Sequence, residues 1–268
     1  MRPLINGTNT SRHAVWGTTV AAMACLSGAM HHSAQAATIN WGTPTTISGP
    51  TDVDTSGTLV GAFNFDDDTT STTTINGQDF VGVPLDAANI EFEDSESNVV
   101  ATLATSDNYN PSAGWIYNVI GDPQVEGGTG DPDYDELVRD LLSNVTGNNA
   151  SWTLTLEGLT VSSPYVVQFW AQQPGVQDRN VVLTAGNNVS LDVDTGDANR
   201  NGQFVTGSFI ADATTQDIVI SGLTDSGAAG GFILNGFQVR LVPEPGSAIL
   251  LSLGGLLLAA RSRQVRRF

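Results

Sequence analysis

Between residues 37 and 241 the apolar positions fall into short stretches that mostly alternate with polar ones. Each stretch is closed by a connector rich in Gly, Thr, Ser, Asn and Asp. Alternation with a period of two is the pattern of a strand with one buried face. It predicts strands at 58–66, 78–83, 89–93, 99–105, 115–120, 151–156, 165–172, 180–185, 190–193, 203–211, 217–221 and 231–241. So many short strands within about 200 residues predict one all-β domain, a two-sheet jelly-roll-like β-sandwich.

One segment breaks the period. Asp131 is suited to cap a helix, Pro132 to its first turn, and Asp133, Asp135 and Glu136 to its positive end. Leu137, Val138, Leu141, Leu142 and Val145 recur at helical spacing, and Gly147 can end the run. A single short helix over one open end of the sandwich is expected.

The strand at 165–172 carries the candidate ligand face. Tyr165, Val167, Phe169 and Ala171 share one side, and Val166, Gln168, Trp170 and Gln172 the other. An aromatic ring flanked by two amides suits a sugar, whose apolar ring face stacks and whose hydroxyls take amide hydrogen bonds. Arg179 follows a short connector and extends that candidate site. The competing and favoured expectation packs Trp170 into the core or under a loop. The two are separable, because a buried Trp170 removes the sugar platform. Trp115 and Tyr117 share a strand face and form a second aromatic candidate, with core packing again favoured.

Metal chemistry has one foothold. Asp197, Asn199 and Asn201, followed by Gly202, have the D-x-N-x-N-G opening of a calcium loop, but position twelve is Ser208 where that loop needs a bidentate Glu. An ordinary polar turn is the favoured expectation. Beyond Ca²⁺ at this loop no cofactor is expected. Asp131, Asp133 and Asp135 have similar spacing, but Glu136 stands where the loop needs Gly, so the helix cap is preferred. Asp66, Asp67 and Asp68 read as a solvated turn.

Composition narrows the chemistry. His13, His31, His32 and Cys25 all precede residue 37, and the chain has no lysine. Residues 37–241 therefore offer no imidazole, thiolate or amine, which removes triad, thiol and Schiff-base catalysis there. The same stretch holds 27 of the 28 acids against Arg139, Arg179, Arg200 and Arg240, a net charge near −23. Nucleic acid is a disfavoured partner for such a body.

The two ends carry addresses. Residues 1–36 read as a secretory signal peptide: Arg2 and Arg12 supply positive charge, residues 14–30 are apolar and small, and Ala34-Gln35-Ala36 is a cleavage signal that starts the mature chain at Ala37. At the other end Val242, Pro243, Glu244 and Pro245 precede an uncharged run at 246–260, then Arg261, Arg263, Arg266 and Arg267. As a helix that run spans roughly 22 Å against about 30 Å of bilayer hydrocarbon, workable where the arginines snorkel, and they orient it with its C-terminus in the cytoplasm. The set resembles the PEP-CTERM sorting tail. That resemblance implies export, at least transient anchoring by a transmembrane helix, and processing by an exosortase-type membrane transpeptidase.

A second resemblance covers 151–241, less than half of the chain. Trp152 to Thr160, Tyr165 to Trp170, Gly202 to Asp212, Gln216 to Ile220 and Leu234 to Arg240 resemble the distal half of galactose-binding-like jelly rolls of exported PEP-CTERM proteins. No sugar-contacting residue is carried over from it. The leading expectation is a non-enzymatic surface or extracellular-matrix protein with a polysaccharide-binding face. One alternative is a structural or adhesion module without a glycan ligand. The other is a glycosidase working through two carboxylates about 5–9 Å apart.

Overall fold

The computed structural model describes residues 37–65, 72–83, 89–93, 98–105, 114–116, 131–138, 141–144, 151–173, 179–194, 201–224 and 226–243, all within one compact unit, Ala34–Phe268. In chain order the first strands are β1 (Asn40–Trp41), β2 (Thr45–Thr46), β3 (Thr58–Phe65), β4 (Thr72–Ile75) and β5 (Gln78–Val83). Then come β6 (Asn89–Glu93), β7 (Val99–Thr105), β8 (Gly114–Ile116), helix α1 (Pro132–Leu137), β9 (Leu142–Asn144) and β10 (Trp152–Leu156). Next are β11 (Pro164–Ala171), β12 (Asn180–Ala185), β13 (Asn188–Val189), β14 (Val193–Asp194) and β15 (Gln203–Ile210). The last are β16 (Gln216–Leu223), β17 (Ala229–Gly230), β18 (Ile233–Leu234) and β19 (Gly236–Leu241).

These strands build the expected two-sheet β-sandwich with one short helix. The first sheet runs β1-β15-β11-β19-β3-β5-β4, and the second β13-β12-β16-β10-β7-β6. Pairing is antiparallel except between β3 and β5, where Phe63 faces Val81 in parallel register. Alternation explains the layering. Trp152, Leu154 and Leu156 of β10 are buried while Thr153 and Thr155 are half-buried, and β16 repeats the pattern with Ile218 and Ile220 inward. The inter-sheet core centres on Phe63, Phe92 and Phe237, whose ring centroids lie 5.0–5.2 Å apart. Offset and edge-on contacts of this kind add to the burial of the rings themselves.

The helix departs from expectation in extent and place. Asp131 caps it as expected, its Oδ1 accepting from Asp133 N at 3.0 Å and Tyr134 N at 3.1 Å. It ends at Leu137, six residues in all, and Leu142–Asn144 forms strand β9 instead, pairing with β18 and β8. The helical spacing of Leu137, Leu141 and Leu142 is therefore outweighed by backbone pairing in a small third sheet. Nor does α1 cover an open end. Tyr134, Leu137 and Val138 pack on the outer face of the first sheet with Ile47, Val53, Ala62, Ile75, Phe80 and Trp170, making a second hydrophobic core. The expected strand at 231–241 is likewise broken at Asn235 into β18 and β19. Of the strand expected at 115–120, only residues 115 and 116 lie within the described residues, in β8.

Candidate functional site

The division of β11 into two faces holds. Tyr165, Val167, Phe169 and Ala171 enter the inter-sheet core, and Trp170 enters the second core. What does not hold is the sugar platform. Trp170 and Gln172 are 0 % exposed and Gln168 1 %, so none of the three presents a surface to a ligand. The cause is the cover on that face, supplied by α1 and by a strap running from Ser48 to Gly57.

Trp170, Tyr134, Gln168 and Gln172 each find local partners, as burial demands, while Asn64 Oδ1 on the same sheet face has none among the described residues. Trp170 Nε1 donates to the Tyr134 hydroxyl at 3.0 Å, and its ring meets Phe80 edge-on at 5.6 Å. The Tyr134 hydroxyl donates in turn to Asp52 Oδ2 at 3.1 Å. Burial, then the Asp52 charge, push the Tyr134 phenol well above its ordinary range, so it stays protonated. Asp52 also accepts from Ser48 N at 2.6 Å, Ser48 Oγ at 2.7 Å and Gly49 N at 3.0 Å.

Amides bind the strap to the sheet. Gln168 Nε2 donates to Asp52 O at 2.7 Å, while its Oε1 accepts from Asp54 N at 3.0 Å and Gln238 Nε2 at 2.7 Å. Arg240, 2 % exposed, continues the row: Nε donates to Ser56 O at 2.6 Å and Nη1 to Gln78 Oε1 at 2.9 Å. Desolvation lowers the Arg240 pKa from its ordinary value, with Asp54 opposing. Gln172 is held differently, its Oε1 accepting from Gly202 N and its backbone bonded on both sides to the Asn235 amide.

Arg179 is half-buried just before β12, in the other sheet, with burial lowering its pKa. It is not joined to Trp170 across an open surface, because Trp170 has none. Asp197 and Asn199 lie outside the described residues. Asn201 lies within them, and its Nδ2 donates to Ile47 O at 3.2 Å. Among the described residues no cluster of three or more acidic, His or Cys side chains is placed to hold a metal ion. Ala34, Ala36, Glu244, Pro245, Arg261, Arg263, Arg266, Arg267, Tyr117 and the run 246–260 also fall outside the described residues, and no helix within them is long and apolar enough to cross a membrane.

Among the described residues an open feature lies beyond the strap. Cross-strand register places Arg240, Val166, Ser208 and Asn40 in one row across the outer face of the first sheet. The strap stops over Arg240. Past it lies a recess of about 490 Å³ whose lining includes Asn40, Val166, Ser208, Ile210 and Asp212, together with Ala37 and Val242. Ile210 is 64 % exposed, and Asn40, Ser208 and Asp212 are exposed with it. The recess thus pairs aliphatic surface with an amide, a hydroxyl and a carboxylate. Nothing in the sequence pointed to it, since its residues come from three strands and both ends of the body.

No family model matches the chain, and no curated protein does. Among solved structures the chain is similar to a family GH115 4-O-methyl-α-glucuronidase with specificity for decorated arabinogalactans, at 13 % identity and a TM-score of 0.29. The likeness covers 39 % of this chain and 15 % of that one.

Proposed function

We propose that this is an exported surface or extracellular-matrix protein, delivered by a signal peptide at 1–36 and sorted through the tail at 242–268. Its jelly-roll-like sandwich serves as a non-enzymatic structural or adhesive module. An exosortase-type transpeptidase is the processing partner, and the run at 246–260 holds the chain in the membrane until processing. The observation that supports this reading is that Ala37 and Val242, the two ends of the body, line the same recess.

The test is to express the full chain in a host with a tail-processing transpeptidase and in one without. In the first, wild-type protein should lose its tail and reach the surface, while a Pro243→Ala, Glu244→Ala, Pro245→Ala variant should stay in the membrane fraction. Equal distribution of the two proteins would overturn the reading.

A second reading rests on the recess itself: contact with a neutral polysaccharide, Asp212 and Asn40 taking hydroxyls and Ile210 and Val166 the ring face. The acidity of the body disfavours uronate polymers. Retardation of the processed protein in gels containing a neutral glucan, lost in Asp212→Ala, would favour it. Unretarded wild-type protein in neutral and uronate gels alike leaves the structural reading.

A further inference from the structure

Three Asn-Gly pairs lie among the described residues: Asn76-Gly77, Asn201-Gly202 and Asn235-Gly236. Such a pair is open to a self-reaction, because glycine lacks the Cβ that would otherwise shield its nitrogen. The Gly nitrogen bonds to the Asn side-chain carbon, the bond to Nδ2 breaks, and ammonia leaves. The resulting succinimide takes up water and opens to aspartate or isoaspartate. Only water is consumed, and no oxidant or cofactor is required.

The fold treats the three pairs very differently. Asn235 is 0 % exposed, and its Nδ2 donates to Val138 O at 3.0 Å and Gln172 O at 3.1 Å. The nitrogen of Gly202 is engaged, donating to Gln172 Oε1, and Asn201 Nδ2 is bonded to Ile47 O. Asn76-Gly77 is the tip of the β4–β5 hairpin, and both residues are exposed. Asn76 has φ 49° and Gly77 φ 72°, the paired left-handed conformation of a two-residue type I′ turn. Such a turn closes between Ile75 and Gln78, so the Gly77 nitrogen stands outside the ladder. The space around the Gly77 Cα is open, leaving the turn room to rotate into the attacking geometry. The Asn76 side chain is held by a single long bond, Nδ2 to Val53 O at 3.3 Å.

We infer that Asn76-Gly77 is a modification site at which the folded protein converts Asn76 to aspartate and isoaspartate, well ahead of Asn201 and Asn235. The product matters to the fold. Isoaspartate adds a carbon to the backbone of a two-residue turn, which the β4–β5 register does not accommodate. Ile75 and Phe80, both 0 % exposed in the second core, flank that turn. The new carboxylate also replaces the donor to Val53 O. The hairpin therefore loosens from the strap with age.

The full chain, incubated folded in mildly alkaline buffer and in parallel in denaturant, is to be peptide-mapped with fragmentation that separates aspartate from isoaspartate. In denaturant all three pairs should react at similar rates. In the folded protein Asn76 should react first, with Asn235 at least about tenfold slower, since its reaction waits on local opening. An intact Asn76 in folded protein, with all three reacting in denaturant, would show that the turn protects it and overturn the inference. So would Asn201 or Asn235 reacting first.

Discussion

Trp170 Nε1 donates to the Tyr134 hydroxyl at 3.0 Å, so the one tryptophan of β11 is anchored to helix α1 rather than offered to solvent. Two substitutions separate packing from hydrogen bonding. Trp170→Ala empties a fully buried site beside Phe80 and should cost about 3–5 kcal/mol. Tyr134→Phe keeps the ring but leaves the indole N–H without its acceptor, and should cost about 1–3 kcal/mol. Urea unfolding of the processed protein gives both values. A Trp170→Ala protein as stable as wild type would mean that the indole is not in this core.

The same hydroxyl makes stability fall in alkali. The folded-state pKa of Tyr134 is raised, by burial first and Asp52 second. A raised pKa means stability that is fully present below the unfolded value near 10 and is lost as pH climbs toward the folded one. Between wild type and Tyr134→Phe, the stability difference should be flat through neutral pH. Above about pH 10 it should shrink by about 1.4 kcal/mol per pH unit, as the unfolded phenol ionises and the folded one does not. A difference that stays flat to high pH would show a solvated phenol.

Asn235 is the residue that joins the two cores. Its backbone N donates to Trp170 O at 2.9 Å, its O accepts from Phe65 N at 3.0 Å, and its side-chain amide ties Val138 to Gln172. Asn235→Ala should leave several buried backbone groups unpartnered, at about 1–3 kcal/mol each before relaxation. Asn235→Asp retains the acceptor for Gln172 N, loses the donors to Val138 O and Gln172 O, and sets a buried carboxylate against those two carbonyls. Thermal melts should rank wild type above both variants. Unchanged melting of Asn235→Ala would remove the residue from this role.

Much of this architecture is visible in the one-dimensional pattern, and the exceptions share a cause. Strands 78–83, 89–93 and 99–105 are found at the expected bounds, because alternation is a local signal, and 180–185 is found there too as a short apolar run buried on both sides. The side assignment of β11 is legible for the same reason. What alternation does not carry is whether the second side of a strand faces water or another layer. For Gln168, Trp170 and Gln172 the sequence favours burial but leaves a solvent face open, and the cover that decides it, the Ser48–Gly57 strap and α1, comes from segments far away in sequence. The break at Asn235 is signalled locally, by the Asn-Gly pair inside an apolar run, and reads as a strand interruption once its buried partners are known. The recess at Asn40, Ser208 and Asp212 has no such signal, because only cross-strand register brings those residues together.

The strap supplies the sharpest test of the covered face. Gln168 is a single side chain that contacts it twice, donating to Asp52 O and accepting from Asp54 N. Gln168→Leu keeps most of the volume and removes both bonds. It also strips Gln238 Nε2 of its Gln168 partner, leaving that nitrogen Asp54 O at 3.0 Å while Gln238 Oε1 keeps Arg240 Nη1. The loss should be local, because Arg240 still clamps the strap at Ser56 and Gly57. Hydrogen exchange followed residue by residue should therefore show the Asp54 amide losing protection, by about tenfold for each 1.4 kcal/mol of eased opening. The amides of β10 and β16, deep in the opposite sheet, should keep theirs. Loss of protection across both sheets would mean that Gln168 supports the whole sandwich, and an unchanged Asp54 amide would mean that the arginine clamp alone holds the strap.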